Sequence, residues 1–168
     1  MPDIVRFEPT GKDGAGRALP ASSLPNFFEA ANALAARQFC RKKGAIVHPS
    51  GYDVDDGDLL ELARAGGAIA FSFSDVLSER GFRRSILISK MRLLLSACRK
   101  RGTPFVFVTL AKDASQARGA RELSAFATVL GATDVERKAA EKKMSGIADG
   151  SARQKKGTPP DAAKAVEK

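Results

Sequence analysis

The sequence has few of the residue types from which most active sites are built. Its 168 residues include no tryptophan, one tyrosine, one histidine and two cysteines. A lone His48 cannot supply the several histidine ligands of a catalytic metal cluster, and neither a G-x-S-x-G elbow nor an active-site cysteine signature accompanies it. The glycine motifs that bind phosphate, G-x-x-x-x-G-K-[ST] and G-x-G-x-x-G after a strand, are also missing. We therefore expect His48 to be a loop or strand-end residue.

A long apolar segment is absent as well. No run approaches the roughly 18 apolar residues that cross a bilayer, and the N-terminus lacks the basic start and apolar core of a signal peptide. These features predict a soluble, intracellular protein. Cys40 and Cys98 lie in segments predicted to be helical and have no C-x-x-C neighbour, so we expect both to be reduced thiols in the core.

Acidic residues are missing from one long stretch of the chain. Between Arg80 and Arg101 there are eight Lys or Arg residues and no Asp or Glu, whereas the whole chain has a formal net charge of +9. A helix that is charged only for solubility usually mixes both signs at i, i+4, and Arg, which makes up six of the eight, binds phosphate bidentately. A solvated helix face is the simpler alternative, but the pattern favours a polyanionic partner.

The candidate nucleic-acid-binding residues are cations of this stretch and of the segment after the next predicted strand. With one tyrosine and no tryptophan, the sequence offers no aromatic platform on which unpaired bases would stack. This favours recognition of the backbone and shape of structured RNA, or of DNA. The candidates are Arg80, Arg83, Arg84, Lys90, Arg92, Arg99, Lys100, Arg118 and Arg121.

Alternating apolar strands and amphipathic helices predict an α/β fold with a parallel sheet. We predict one domain over residues 1–144 and a basic, disordered tail over residues 145–168, where almost no large apolar side chain is present. The predicted strands are residues 3–7, 45–47, 68–73 and 105–110. The predicted helices are residues 26–43, 58–65, 83–100 and 120–130, and one from a Thr133–Glu136 capping box to about Met144.

Two local patterns refine this outline. The helix at residues 83–100 has an apolar stripe, and its opposite side carries small hydroxyls and long cations. The loop before the helix at residues 58–65 is acidic, with five carboxylates from Asp53 to Glu61. It lacks the spacing of a calcium-binding loop, so we expect it to be solvated, with Asp55 or Asp56 capping the helix. The residues of the stripe are Leu87, Met91, Leu94, Leu95 and Cys98.

Residues 68–132 combine, in order, an apolar strand, a Ser-Asp-x-Leu turn, an arginine-containing helix, a Gly-x-Pro strand and a helix ending in Leu-Gly. In this order they resemble the ribonuclease P protein component 3 family of archaea and eukaryotes. The chain departs from that family at Thr109–Lys112, where the family has Ser-Ser-Gly-Ala, and at Ala120, near an expected Pro. The matching residues are Ser74, Asp75, Leu77, Arg84, Ser89, Met91, Arg92, Arg99, Lys100, Gly102, Pro104, Arg118, Leu123, Leu130 and Gly131.

The resemblance implies a partial or reduced TIM-barrel-like (PHP-like) fold and a non-catalytic, RNA-binding subunit of ribonuclease P. That holoenzyme is an endoribonuclease that removes 5′ leaders from precursor tRNA. The resemblance implies no catalytic or metal-binding residues and no bound cofactor in this chain, with magnesium serving the RNA of the holoenzyme. The implied partners are ribonuclease P RNA, a small ferredoxin-like subunit and other ribonuclease P proteins, in the cytoplasm of an archaeon or the nucleus of a eukaryote.

Two alternatives stay open at this point. One is a barrel-type, metal-dependent phosphoesterase that shares the scaffold. The other is a scaffold protein whose basic face binds an acidic protein partner.

Overall fold

The computed structural model describes residues 3–6 and 18–156. Within these residues the strands are β1 (Asp3–Val5), β2 (Ala18–Pro20), β3 (Phe27–Ala30), β4 (Ile46–Pro49), β5 (Ala68–Ser72) and β6 (Phe105–Val108). The helices are α1 (Ala33–Cys40), α2 (Asp56–Arg64), α3 (Phe73–Ser78), α4 (Gly81–Arg101), α5 (Ala120–Leu130) and α6 (Asp134–Lys156).

The strands form parallel ladders. One sheet has the order β3-β4-β5-β6, and β1 pairs in parallel with β2. Two backbone hydrogen bonds join β1 to the segment after β6: Leu110 N–H donates to the Ile4 carbonyl over 2.8 Å, and Arg6 N–H donates to the Ala111 carbonyl over 2.8 Å. Parallel strands connected through helices confirm the predicted α/β, partial TIM-barrel-like fold.

Side chains alternate between two cores along each strand, as the two-residue period of a strand requires. On β5, Ile69 and Phe71 face the core that is shared with α1, α2, α4 and α5, whereas Ala68 and Ala70 face the second core. The second core also contains Ile4 from β1. The sheet is therefore covered on both faces, which explains why its strands are apolar at nearly every position.

The apolar stripe predicted for α4 is confirmed. Met91, Leu94, Leu95 and Cys98 are buried, and Leu87 packs against the same core. The helix ends at Gly102, which adopts a left-handed φ of 66°, a conformation that glycine reaches without strain from a Cβ.

Both cysteines are free and buried. Burial raises the pKa of the Cys40 and Cys98 thiols to about 12, so each is a protonated thiol at neutral pH.

The prediction of one helix over residues 26–43 is wrong in its first half. Residues 27–30 form β3, which pairs in register with β4, and the helix begins only at Ala33. The side chain of Asn32 caps it by accepting a hydrogen bond from Ala35 N–H over 2.9 Å. Leu34, in the first turn of α1, is 65% exposed. The spacing of the apolar residues fits a helix, but pairing with β4 overrides it.

The acidic loop was predicted to be solvated, but two of its carboxylates bind arginines. Asp55 occupies the N-cap position of α2 but makes no side-chain capping bond. It accepts a hydrogen bond from Arg37 over 3.0 Å, and Asp56 accepts one from Arg101 over 2.5 Å. The carboxylates therefore connect α2 to the neighbouring helices.

The last helix extends further than predicted. The capping box is confirmed, because Thr133 N–H donates to Glu136 Oε2 over 2.8 Å and Glu136 N–H donates to Thr133 Oγ1 over 3.3 Å. The helix then passes Met144, which is fully buried in the second core, and continues to Lys156. The tail beyond Lys156, predicted to be disordered, lies outside the described residues. No helix within residues 3–6 and 18–156 has the length and apolar character needed to cross a membrane.

Candidate nucleic-acid interface

The outward surface of α4 has two edges that differ in their contacts. Residues seven apart lie two helical turns apart on the same side of a helix. Arg92 and Arg99 therefore share one edge of α4, and Arg83 and Lys90 share the other.

Arg92 and Arg99 are bound within the chain. The Arg92 guanidinium donates to the Val129 carbonyl near the end of α5, from Nε over 3.1 Å and from Nη2 over 2.7 Å. Arg99 donates to both Glu136 carboxylate oxygens, over 2.6 and 2.8 Å, and from Nη2 to the Gly131 carbonyl over 2.6 Å. The two arginines thus hold the end of α5 and the start of α6 against α4.

The Arg99–Glu136 pair has a clear electrostatic consequence. The hydrogen bond from Arg99 lowers the pKa of Glu136 to about 2, with further contributions from the hydrogen bonds of Thr133. The carboxylate is consequently ionised throughout the physiological range and keeps Arg99 in place.

Three further arginines of this region also have partners inside the chain. Arg84 donates to the Glu79 carbonyl over 2.7 Å, and Arg101 binds Asp56 as described above. Arg118 is half-buried and donates to the Ser115 and Ala117 carbonyls over 2.8 and 2.9 Å.

The remaining candidates have no hydrogen-bond or ion-pair partner among the described residues. All of them are exposed. Because α3–α4 and α5 each follow a strand of the same parallel sheet, α4 and α5 begin near the same end of that sheet, which places Arg121 at the same end as Arg80 and Arg83. We call this set the unpaired basic surface: Arg80, Arg83, Lys90, Lys100 and Arg121.

The exposed side of α4 is less polar than predicted. Between its serines and cations it presents Phe82, Leu93 and Ile86, which are 80%, 72% and 42% exposed. These side chains were not predicted, because the outward side of the helix was described by its hydroxyls and charges alone. Their positions at i, i+4 and i+11 are a helical spacing, which was the available signal.

A second polar group of residues, also missed, lies where the strands end. Asp75, in the first turn of α3, accepts hydrogen bonds on Oδ2 from His48 Nε2 and from the Tyr52 hydroxyl, both over 2.8 Å. The Tyr52 oxygen in turn accepts a hydrogen bond from Ser72 N–H over 3.0 Å. We call His48, Tyr52 and Asp75, with the neighbouring ion pair Arg6–Glu29, the strand-end cluster.

The charges within the strand-end cluster are fixed by its own contacts. Burial favours a raised pKa for Asp75, but hydrogen bonds from His48, Tyr52 and Ser72, with the charge of His48, lower it below its usual value. Because this carboxylate can only accept, His48 Nε2 is the donor. Burial, followed by the negative charge of Asp75, raises the pKa of Tyr52 well above its usual value, so its hydroxyl stays protonated.

The opposite nitrogen of His48 faces the ion pair. Nδ1 is buried, lies 3.9 Å from Glu29 Oε2, and has no hydrogen-bond partner among the described residues. Glu29 itself accepts two hydrogen bonds from Arg6, over 3.0 and 2.6 Å. In the part of the chain that the structure describes, no group of three or more His, Cys, Asp or Glu side chains is arranged to hold a metal ion.

Residues beside the cluster bind the end of β5 to the end of β6. Ser74 N–H donates to the Thr109 carbonyl, and Ser74 Oγ donates to the Leu110 carbonyl, each over 3.0 Å. Tyr52 and Leu110 adopt left-handed φ angles of 53° and 48°, which are costly for residues other than glycine. The polar contacts at the strand ends hold the chain in this geometry, so Ser74 and Asp75 of the Ser-Asp-x-Leu turn act in the fold.

Comparison with known proteins finds a similarity in structure but none in sequence. No family model matches the sequence, and no curated protein matches it. The structure is similar to a chain of a cryo-EM structure of archaeal ribonuclease P with mature tRNA, with a TM-score of 0.64 and 18% sequence identity. The alignment covers 84% of this chain but only 64% of that one, so this chain spans less than two thirds of its structural neighbour.

Proposed function

We propose that the chain is an RNA-binding protein subunit of ribonuclease P that contributes no catalytic residue. In this proposal the RNA of the holoenzyme carries out the magnesium-dependent removal of 5′ leaders from precursor tRNA, and the chain supports the catalytic domain of that RNA. The similarity in fold to a chain of archaeal ribonuclease P supports the proposal that this chain is part of such a holoenzyme. The unpaired basic surface supports RNA as the direct partner.

The observation that carries the proposal is the contrast between paired and unpaired cations along α4. Between Arg80 and Arg101 there is no carboxylate to compete with a phosphate. Arg92 and Arg99 are already occupied, whereas Arg83 and Lys90 are exposed and have no partner among the described residues. Exposed cations that neutralise phosphates release counterions, and this release drives binding to a polyanion.

The same similarity in fold supports the protein partners that we propose. They are a small ferredoxin-like subunit and other ribonuclease P proteins. A cavity of about 340 Å³ between α4 and the Tyr52–Val54 segment is lined by Lys90, Leu93 and Ala97. Its mixed apolar and cationic lining could accept a side chain of such a subunit.

Reconstitution tests the proposal. Precursor tRNA cleavage is measured with ribonuclease P RNA and the other protein subunits, in the presence of the full chain or without it, across a magnesium titration. We expect the chain to raise the cleavage rate at low magnesium and to lower the magnesium requirement. The doubly substituted chain Arg83→Gln, Lys90→Gln should show a weaker effect. Equal rates and an equal magnesium requirement with and without the chain would contradict the proposal.

The strand-end cluster is the observation that favours the second candidate, a metal-dependent phosphoesterase. Enzymes built on TIM barrels place their active sites at the carboxyl ends of the strands, where His48 and Asp75 lie. Hydrolysis of a phosphate ester by the full chain, lost in His48→Asn and accompanied by bound divalent metal, would support this candidate. The contacts of His48, Tyr52 and Asp75 with one another favour the RNA-binding proposal, because they already occupy His48 Nε2, the Tyr52 hydroxyl and Asp75 Oδ2.

A further inference from the structure

Phe82 is the most exposed of the large apolar side chains in the described residues, with 80% of its surface accessible. It lies in the first turn of α4 and packs into neither of the two cores. It also makes no aromatic or cation–π contact with another described residue. Nothing in the fold therefore accounts for a phenylalanine at this position.

The surroundings of Phe82 are basic. Arg80 and Arg83 are both exposed and have no partner among the described residues, and Arg84 is bound only to a backbone carbonyl. The nearest carboxylate in the sequence is Glu79, after which no acid occurs before Asp113. A flat aromatic ring between free guanidinium groups combines the two elements that bind single-stranded nucleic acid, a stacking surface and phosphate-binding cations.

The position of the ring favours a base over an apolar protein side chain. One groove beside α4 is lined by Leu93, Ala97 and Lys90, and another is lined by Ile88 and Val129; Phe82 lines neither. Protein anchors usually fill or border such grooves. A ring that projects into solvent leaves its face free to stack.

We propose that Phe82 stacks on an unpaired base of the bound RNA while Arg80 and Arg83 bind the phosphates on either side of that base. The inference rests on the proposed function and adds to it the kind of RNA element that is recognised, an unpaired nucleotide next to a helix. It also revises the expectation, based on the lack of tryptophan and the single tyrosine, that the chain has no stacking residue.

Two hairpin RNAs test this proposal with the full chain. One carries a single unpaired 2-aminopurine in its stem, and the other is identical but fully paired. We expect wild-type protein to bind the bulged hairpin about tenfold more tightly, and to quench its fluorescence, because stacking of one base on an aromatic residue has an effect of that order. Phe82→Leu should remove the preference and the quenching, and Phe82→Trp should retain both.

Val135→Ala is the matched control, because Val135 is an apolar side chain that is 78% exposed in the first turn of α6 and lines neither groove. It should leave the preference for the bulged hairpin unchanged. All variants should unfold at the temperature of the wild type, since neither side chain is packed. A preference that persists in Phe82→Leu, or that is absent from the wild type, overturns the inference.

The same measurements separate this inference from the proposed function. If the wild type binds both hairpins equally and Arg83→Gln weakens both, the RNA-binding proposal stands and the stacking proposal fails. If the wild type binds neither hairpin, both proposals fail. A partner protein that binds the Phe82→Leu chain more weakly than the wild type, with no hairpin preference in either chain, would assign Phe82 to a protein contact and overturn the inference.

Discussion

The strand-end cluster and the outward surface of α4 are both rich in polar side chains, but their contacts are opposite. In the cluster, His48, Tyr52 and Asp75 bond to one another and are largely withdrawn from solvent. On α4, Arg83 and Lys90 are exposed and bond to nothing in the described chain. The residues with the chemistry of an active site therefore stabilise the ends of the strands, and the residues available to a partner belong to the basic helix.

The largest loss of stability is expected from a substitution that breaks the strand-end cluster. Asp75→Ala leaves two buried donors, His48 Nε2 and the Tyr52 hydroxyl, without their acceptor, and each such group costs about 1–3 kcal/mol. For the two donors together, we expect the free energy of unfolding, measured by urea denaturation, to fall by about 3–4 kcal/mol. RNA affinity measured below the unfolding transition should not change.

The control for Asp75→Ala is Asp53→Ala. Asp53 is an exposed carboxylate with no partner among the described residues, so its removal should alter stability by less than about 0.5 kcal/mol. A comparable loss in both variants would show that the cluster does not stabilise the strand ends.

A second effect concerns Asp3, a buried acid at the start of β1. Burial raises the pKa of Asp3 to about 6 from 3.8, although its Oδ1 accepts hydrogen bonds from Thr109 and Ile4 N–H. A raised carboxyl pKa means that the folded state holds the proton more tightly. The resulting stability is complete below pH 3.8 and is lost as the pH rises to about 6.

Asp3→Asn should remove this pH dependence. Its amide oxygen can accept the same hydrogen bonds and carries no charge, so we expect the variant to exceed the wild type in free energy of unfolding by about 2–3 kcal/mol above pH 6. Below pH 4 the difference should vanish. Denaturant titrations of both proteins between pH 3.5 and 8 provide the measurement, and parallel curves would refute the assignment.

The smallest loss of stability is expected at the edge of α4 that carries Arg92 and Arg99. Arg99→Lys keeps the charge but loses the bidentate contact with Glu136 and the bond to Gly131, and we expect a loss of about 1 kcal/mol because Arg99 is partly exposed. The pKa of Glu136, followed by NMR, should rise from about 2 toward 4.5. Lys100→Ala, the adjacent exposed cation without a partner, should change neither quantity. An unchanged Glu136 pKa in Arg99→Lys would mean that the pair does not form.

Apart from α3, the elements from β4 to the start of α6 could be predicted from the sequence because their apolar patterns agree with their tertiary contacts. The stripe of α4 and the capping box at Thr133 are examples in which local pattern and packing coincide. The strand β3 could not be predicted, because Phe27 and Phe28 also fit a helix and only pairing with β4 distinguishes the two. The length of α6 was missed because it depends on the long-range contacts of Met144 and Ile147.

The candidate site was predictable as a region but not residue by residue. Charge density located α4, yet it could not separate Arg92 and Arg99 from Arg83 and Lys90, since the partners of the first pair lie more than thirty residues away in sequence. Several residues behind the family resemblance, including Ser74, Asp75, Arg92 and Arg99, make intrachain contacts. The resemblance therefore reports chiefly on the fold.

The central claim, that the unpaired cations bind RNA and the bound arginines hold the helices together, is tested most directly by the salt dependence of RNA binding. The logarithm of the affinity of the full chain for ribonuclease P RNA is plotted against the logarithm of the salt concentration for two double variants. Arg83→Gln with Lys90→Gln should reduce the slope by about two units, one for each lost phosphate contact. Arg92→Gln with Arg99→Gln should leave the slope unchanged and lower the stability instead. A reduced slope in the second variant and an unchanged slope in the first would contradict the account.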